Sequence, residues 1–258
     1  MSIVRGIALV TGSAQGIGRG IALRLAKDGF DIALNDVSSK RDQLRVVAND
    51  IEKLGQRTLL VPADVAVERE VKGMVQDVSK ELGGLDVVSN RFCTLLKRVP
   101  EYLFKDGSER WHWWIVVLGL QQATLLGIPR FELSQRYLAA ELEDWERIMA
   151  VNARGPFLCY KYAAQQMIKQ GRGGRIIGAA SAAGKLGGPL TSAYGASKFA
   201  VRGLTQSAGR SHISFSFSSL RFLTKPAMEL GRYNITVNCY APGVIETPLS
   251  KCLQAPQL

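Results

Sequence analysis

The sequence predicts an α/β protein, a single domain over residues 1–258 built on a doubly wound parallel sheet, with two atypical insertions and a truncated C-terminus. Three observations carry this expectation. Short β-rich apolar runs alternate with amphipathic stretches, as in successive strand–helix–strand units around a parallel sheet. A glycine-rich turn joins the first apolar run to the first amphipathic stretch. The chain has 258 residues, 47% of them hydrophobic and 21% charged, which is enough to bury a full core and short enough for one domain.

Taken in order, residues 7–10 end a first strand and residues 16–28 read as a helix, with Ile17, Ile21 and Leu25 on one side and Gly29 as a left-handed cap. A second strand follows over 30–34, a helix over about 39–54 stopped by Gly55, a strand over 58–61, a helix over 68–82 and a fourth strand over 85–88. The character then changes. Residues 91–138 hold three of the four tryptophans, show no sustained period, and stand where such a fold uses a short loop. Regular order returns with a long helical stretch from Ala139 to about Gln170 and a strand over 175–179, then a helix from about Ser192 to Gly209. Residues 209–226, rich in serine and phenylalanine and ending in Pro226, interrupt that last helix before a strand over 235–239 and the turn Ala241-Pro242-Gly243.

Composition excludes several classes of function. The apolar run at 3–10 leads straight into the glycine turn, so it reads as a strand and not as a signal peptide. The apolar run at 113–120 is far below the roughly 20 residues that span a bilayer. A soluble cytoplasmic protein without membrane contact is expected. Cys93, Cys159, Cys239 and Cys252 lack the two-residue spacing of a metal knuckle or redox pair, and His112 and His212 are the only histidines, so no metal site is expected. The net charge of +11 invites a nucleic-acid partner, but residues 91–138 and 209–226 carry six of those eleven charges and the scaffold is only mildly basic. No nucleic-acid role is expected.

Thr11-Gly12-Ser13-Ala14-Gln15-Gly16-Ile17-Gly18 follows a strand and opens a helix. In that context glycines let the backbone approach a pyrophosphate at the helix N-terminus. Asp36, at the end of the second strand, can accept both hydroxyls of an adenosine ribose and would repel a 2′-phosphate, which favours NAD over NADP. Asp64-Val65 after the third strand suits an adenine contact, although a surface turn would look the same. Tyr194-Gly-Ala-Ser-Lys198 places a phenol and an ammonium four residues apart on one helix face, with Ser181 thirteen residues upstream at a strand end. A fixed cation beside a phenol favours phenolate and brings its proton toward the working range of an acid/base catalyst.

These residues, taken together and in this order with Asn152 of Val-Asn-Ala-Arg-Gly and the Ala-Pro-Gly turn, resemble the short-chain dehydrogenase/reductase family. The resemblance covers most of residues 3–90, 141–208 and 227–249. It implies a Rossmann fold and a role for each residue. Gly12, Ser13, Gln15, Gly16, Ile17, Gly18, Asp36, Asp64, Val65 and Asn90 would bind the dinucleotide. Tyr194 would be the general acid/base, Ser181 would polarise the substrate carbonyl, and Lys198 would bind the nicotinamide ribose and depress the tyrosine pKa. Asn152, in a kink of the long helix, would hold a water in the proton relay, while Pro242, Gly243, Ile245 and Thr247 would line the carboxamide. The substrate would be a small ketone or secondary alcohol. Within the family, Phe-Ala-Val-Arg-Gly-Leu-Thr-Gln and the later stretch through Pro242 look most like acetoin/diacetyl reductases (butanediol dehydrogenases), with similar strings in 3-oxoacyl-carrier-protein reductases and in sugar or polyol dehydrogenases. The family also implies a homo-oligomer, a tetramer or dimer.

Three departures stand against the pattern. Arg91-Phe92 follow Asn90 where the family has Ala-Gly, and large side chains there could obstruct the cofactor. Residues 209–226 split the helix that carries Tyr194 and Lys198. The chain ends shortly after Thr247, where the family continues. The expectation is that both insertions are translated introns or gene-model errors, the alternative being lineage-specific loops, and that an inactive product retaining partial nucleotide binding competes with the enzyme reading.

Overall fold

The computed structural model describes residues 5–91, 141–188, 191–209, 229–243 and 245. Six strands form one wholly parallel sheet: β1 (Gly6–Thr11), β2 (Phe30–Asn35), β3 (Thr58–Leu60), β4 (Val87–Asn90), β5 (Gly174–Ala179) and β6 (Ile235–Tyr240). Their spatial order is β3-β2-β1-β4-β5-β6, so the order reverses between β1 and β4, the switch point at which doubly wound sheets bind ligands outside their strand ends. Alternation along β1 explains why both faces are covered. Ile7 and Leu9 pack into one apolar cluster, Ala8 and Val10 into the other, as a side-chain period of two requires.

Helices α1 (Gly16–Lys27) and α2 (Arg41–Glu52) cover the second cluster, with Leu44, Val47 and Ile51 of α2 almost wholly buried. The first cluster is covered by α3 (Glu68–Leu82) and α5 (Gly155–Gln170), joined on the same side by α4 (Leu142–Met149) and α6 (Ser192–Ala208). On α3 the buried stripe is Val71, Met74, Val75, Val78 and Leu82, spaced at three and four, and each such side chain contributes roughly 1.5–3 kcal/mol of burial. Gly83 ends the helix with φ +98°, as a left-handed cap does.

Several boundaries differ from the sequence reading for identifiable reasons. β4 lies two residues later than the run at 85–88, because buried Ser89 and Asn90 belong to the strand although neither is apolar. The helix expected over 39–54 opens with a 3₁₀ turn, Ser38–Lys40, before α2. Along α1, the residues buried against the sheet are Gly18, Ala22 and Ala26, while Ile17, Ile21 and Leu25 are half-buried beside them. Small side chains let this helix lie close to the sheet. Between α4 and α5 the long helix widens into a π turn, Ala150–Arg154. α6 stops at Ala208, and Gly209 turns to extended geometry with its amide on the Thr205 carbonyl at 2.9 Å. Apart from Arg91 and Gly209, the two atypical stretches lie outside the described residues, as do Thr247 and the chain beyond it. Among the described residues no helix is long and apolar enough to cross a membrane.

Candidate functional site

Apart from Thr247, which lies outside the described residues, the sequence-predicted residues that follow strands stand at the carboxyl edge of the sheet. At the end of β1, Gly12 (φ +60°) and Gly16 (φ +56°) occupy left-handed backbone that favours glycine. A Cβ on Gly12 would lie 2.0 Å from the Arg91 carbonyl oxygen, and one on Gly18 would lie 2.1 Å from the Gly12 carbonyl oxygen. The turn is thus closed against both its own helix and the end of β4. Thr11 Oγ1 donates to Asn90 Oδ1 at 3.2 Å and accepts the Arg91 amide at 2.9 Å. The backbone at Arg91 therefore keeps a tight seat beside the turn, although its side chain is large where the family has a small one.

Gln15 caps α1 with no side-chain hydrogen bond, and the first turn of the helix carries no acidic residue. Amides at such an end, with the helix dipole behind them, attract an anion. Asp36 is 7% exposed and its Oδ2 accepts the Ala14 amide at 3.3 Å, while Lys40 Nζ lies 3.7 Å from Oδ1. A glycine cradle, a side-chain-free helix end and a carboxylate tied to the same turn fit a dinucleotide. Ser13 is fully buried and its hydroxyl donates to the Asn35 carbonyl at 3.1 Å, so its side chain braces the turn from behind.

Asn35 was not singled out from the sequence. Its Nδ2 donates to the Val61 and Ala63 carbonyls at 2.8 and 3.2 Å, and its own carbonyl takes the amide and hydroxyl of Ser13. One buried residue thus ties the end of β2 to the glycine turn through its backbone carbonyl and to the segment after β3 through its side-chain amide. Asp64 is exposed and its Oδ1 accepts the Ala66 amide at 2.9 Å. Val65 is buried, and its Cγ2 would stand 3.0 Å from a Cβ on Gly155.

The chemistry-bearing side chains stand just after β5, on α6 and in the π turn. Ser181 follows β5 and accepts the Ala183 amide at 3.2 Å, a geometry that uses a lone pair and leaves its O–H to donate. The short turn Ala182–Gly184 lies against α6 so closely that a Cβ on Gly184 would meet the Lys198 carbonyl oxygen at 2.8 Å. The Ala182 amide donates to the Pro242 carbonyl at 3.0 Å, which draws the Ala-Pro-Gly turn to the same edge. Gly243 and Ile245 are exposed there. Lys198 is only 1% exposed; its Nζ donates to the Ala179 carbonyl at 3.0 Å and lies 5.6 Å from the centre of the Tyr194 ring. Asn152 is fully buried in the π turn, with Nδ2 on Ser197 Oγ at 3.2 Å. Beneath the site, burial pushes the Cys159 thiol from an ordinary 9.0 up to about 12, with the neighbouring Asn90 side chain opposing it in smaller measure.

Ser181 at the end of β5 and the Tyr194/Lys198 pair on α6 thus belong to neighbouring elements, with a buried ammonium beside the tyrosine ring. A family model described as short chain dehydrogenase matches residues 6–95 and 127–215, and the gap between the two falls within the stretch at 91–138. The chain is 42% identical to a short-chain dehydrogenase/reductase of Armillaria gallica, over 94% of this chain and 72% of that protein. It is 32% identical to an L-2,3-butanediol dehydrogenase of Corynebacterium glutamicum, over 96% of this chain and 75% of the other. Among solved structures, the acetoin dehydrogenase of Salmonella typhimurium superposes with a TM-score of 0.69 at 29% identity, covering 95% of this chain and 78% of that one.

Proposed function

The chain belongs to the short-chain dehydrogenase/reductase family of NAD(P)-dependent oxidoreductases, and from that premise we propose that it interconverts a small ketone and a secondary alcohol with NAD(H). The observation that carries the reading is the seat of Lys198, a cation buried to 1% exposure and held 5.6 Å from the Tyr194 ring on the same helix. A desolvated ammonium acts over a low-dielectric path, where it stabilises negative charge on a neighbouring oxygen more than it would in water.

Bound at the α1 terminus, the nicotinamide cofactor would supply or accept the hydride. The glycine turn of Gly12, Gly16, Ile17 and Gly18, with Gln15 at its end, would hold the diphosphate, and Asp36 the adenosine ribose. Asp64, Val65 and Asn90 would flank the adenine, and Pro242, Gly243, Ile245 and Thr247 the carboxamide. Ser181 donates to the substrate oxygen and orients the carbonyl. With the hydride that the cofactor would supply to carbon, Tyr194 Oη would deliver the proton to the carbonyl oxygen, giving the alcohol. In the reverse direction the phenolate takes that proton. Lys198, whose Nζ donates to the Ala179 carbonyl, would also bind the nicotinamide ribose. Asn152 would hold the water that returns the proton from bulk.

Similarity to butanediol and acetoin dehydrogenases favours acetoin and diacetyl as the first substrates to try, with 3-oxoacyl thioesters of carrier protein as the second class. A soluble cytoplasmic homo-oligomer, dimer or tetramer, accompanies this reading. Arg91 supports one competitor, a chain that retains nucleotide affinity without turnover, because its bulk replaces a small residue beside the dinucleotide turn.

The test is NADH oxidation by the full chain with diacetyl. Turnover that falls by about 10²–10⁴ in Tyr194→Phe supports the oxidoreductase. Folded protein that binds NADH and turns over neither diacetyl, acetoin nor a 3-oxoacyl thioester supports the competitor.

A further inference from the structure

Ser197 lies between Tyr194 and Lys198 on α6, fully buried, and its Oγ donates to the Tyr194 carbonyl at 2.6 Å. A carbonyl can only accept, so the single proton of the hydroxyl is committed to it. The contact that Ser197 Oγ makes with Asn152 at 3.2 Å must then run the other way, with the amide as donor. Proton order along the chain therefore fixes which end of the Asn152 amide faces α6: Nδ2 points at Ser197, and Oδ1 is turned elsewhere. Both residues are fully buried, so bulk solvent does not reach the side of the amide that faces Ser197 to replace the bond if it is lost. An amide donor stripped of its acceptor in such a place either carries the cost or rotates.

We propose that Ser197 is a positioning residue: it pegs the π turn to α6 within one helical turn of both Tyr194 and Lys198, and holds Asn152 in a single amide orientation. This rests on the oxidoreductase reading above. A helix that slid or rotated on α5 would carry the phenol and the ammonium with it. The peg sets that position where the two elements meet, and it does so without touching substrate or cofactor.

The experiment is steady-state kinetics on the full chain with NADH and diacetyl, for Ser197→Ala, Asn152→Ala and the double variant. Alanine favours the helix more than serine does, so α6 is retained. Ser197→Ala is expected to lower kcat about tenfold, the rate equivalent of one misplaced buried hydrogen bond. KM for NADH should rise less than kcat falls, by no more than about twofold, because the glycine turn and Asp36, which carry most of the nucleotide contacts, lie on other elements. If Ser197 acts through Asn152, the double variant is no slower than Asn152→Ala alone. Unchanged kcat, a matched rise in KM, or fully additive losses would overturn the proposal. Ser197→Cys, close in volume and a poor hydrogen-bonding partner, serves as the second variant. Loss of folded protein in both would mark Ser197 as a purely structural staple and also overturn it. If the unaltered chain shows no turnover, the oxidoreductase reading fails and takes this one with it; an active chain indifferent to Ser197 sinks only the present inference.

Discussion

Replacing Gly18 by alanine should loosen the dinucleotide turn, whereas the same change two residues later should tighten the helix. A Cβ at Gly18 would lie 2.1 Å from the Gly12 carbonyl oxygen, 2.7 Å from its carbonyl carbon and 3.2 Å from Ser13 Cα. All three atoms are backbone, so no side chain can swing aside. The closest contact falls about 1.3 Å inside ordinary van der Waals separation, and α1 or the turn must shift by that amount. Overpacking on this scale costs about 3 kcal/mol at the upper end of its range, and the helical preference of alanine over glycine offsets about 1 kcal/mol of it. A net loss of about 2 kcal/mol follows for Gly18→Ala. At Gly20 nothing stands within 4 Å, so the helical gain of about 1 kcal/mol is kept in full. The two variants should therefore differ by about 3 kcal/mol, or roughly 6–12 °C in Tm for a chain of this size. Thermal unfolding followed by circular dichroism measures the gap, and NADH fluorescence titration should show weakened binding at Gly18→Ala alone. Equal melting temperatures with equal NADH affinity would refute the reasoning, because they would mean that α1 does not press on the turn.

Three further expectations can be checked independently. Tyr160 Oη and Thr205 Oγ1 lie 3.1 Å apart, and Thr205 donates to the Val201 carbonyl at 2.8 Å, so the tyrosine is the donor of the pair. Thr205→Val strands that buried hydroxyl and should cost about 1–3 kcal/mol in urea unfolding, against about 0.5–1.5 kcal/mol for Tyr160→Phe, which strands nothing; the reverse order would contradict the assignment. Because the Cys159 thiol is raised from 9.0 to about 12, the unfolded chain releases that proton first as pH climbs. Its contribution is intact below about pH 9 and is lost above it, by up to about 1.4 kcal/mol per pH unit, and Cys159→Ala should flatten that alkaline slope in unfolding titrations. Finally, Asp36→Ala should cut the preference for NAD over NADP by roughly 10–100-fold, read as the ratio of the two kcat/KM values, through loss of a charge-assisted bond to the ribose; an unchanged ratio would count against a ribose contact there.

The helices were legible where one face is apolar and the ends are punctuated. On α3, the spacing of Val71, Met74, Val78 and Leu82 with Gly83 beyond it gives both period and stop, and the bounds at 68–82 match the structure. β4 was misplaced because hydrophobic runs say nothing of a strand that finishes in buried Ser89 and Asn90. Polar strand ends are where the candidate site residues lie, so the periodicity signal fades along that edge. The glycine turn, Asp36, Ser181, Tyr194 and Lys198 could be named from the sequence since each has a local spacing. Asn35 and Ser197 could not, because their roles arise only from what packs against them: the carbonyls of Val61 and Ala63 in one case, the Asn152 amide in the other. The depth of Lys198 likewise has no signature, since nothing in a Tyr-x-x-x-Lys string says that the lysine is 1% exposed.

The widened turn at Ala150–Arg154 also acts as a phase shifter. Each residue of an α-helix advances the azimuth by about 100°, and a π turn stores one residue beyond the regular count. Everything downstream is clocked by that surplus: Leu158, Ala163 and Met167 face the sheet only because the surplus is present. A single-residue deletion among 150–154 would leave the composition and hydrophobicity of the helix nearly untouched and yet rotate sixteen following residues of α5 by more than a quarter of a circle, about 100°. Such a deletion should be far more damaging than any one substitution within the turn.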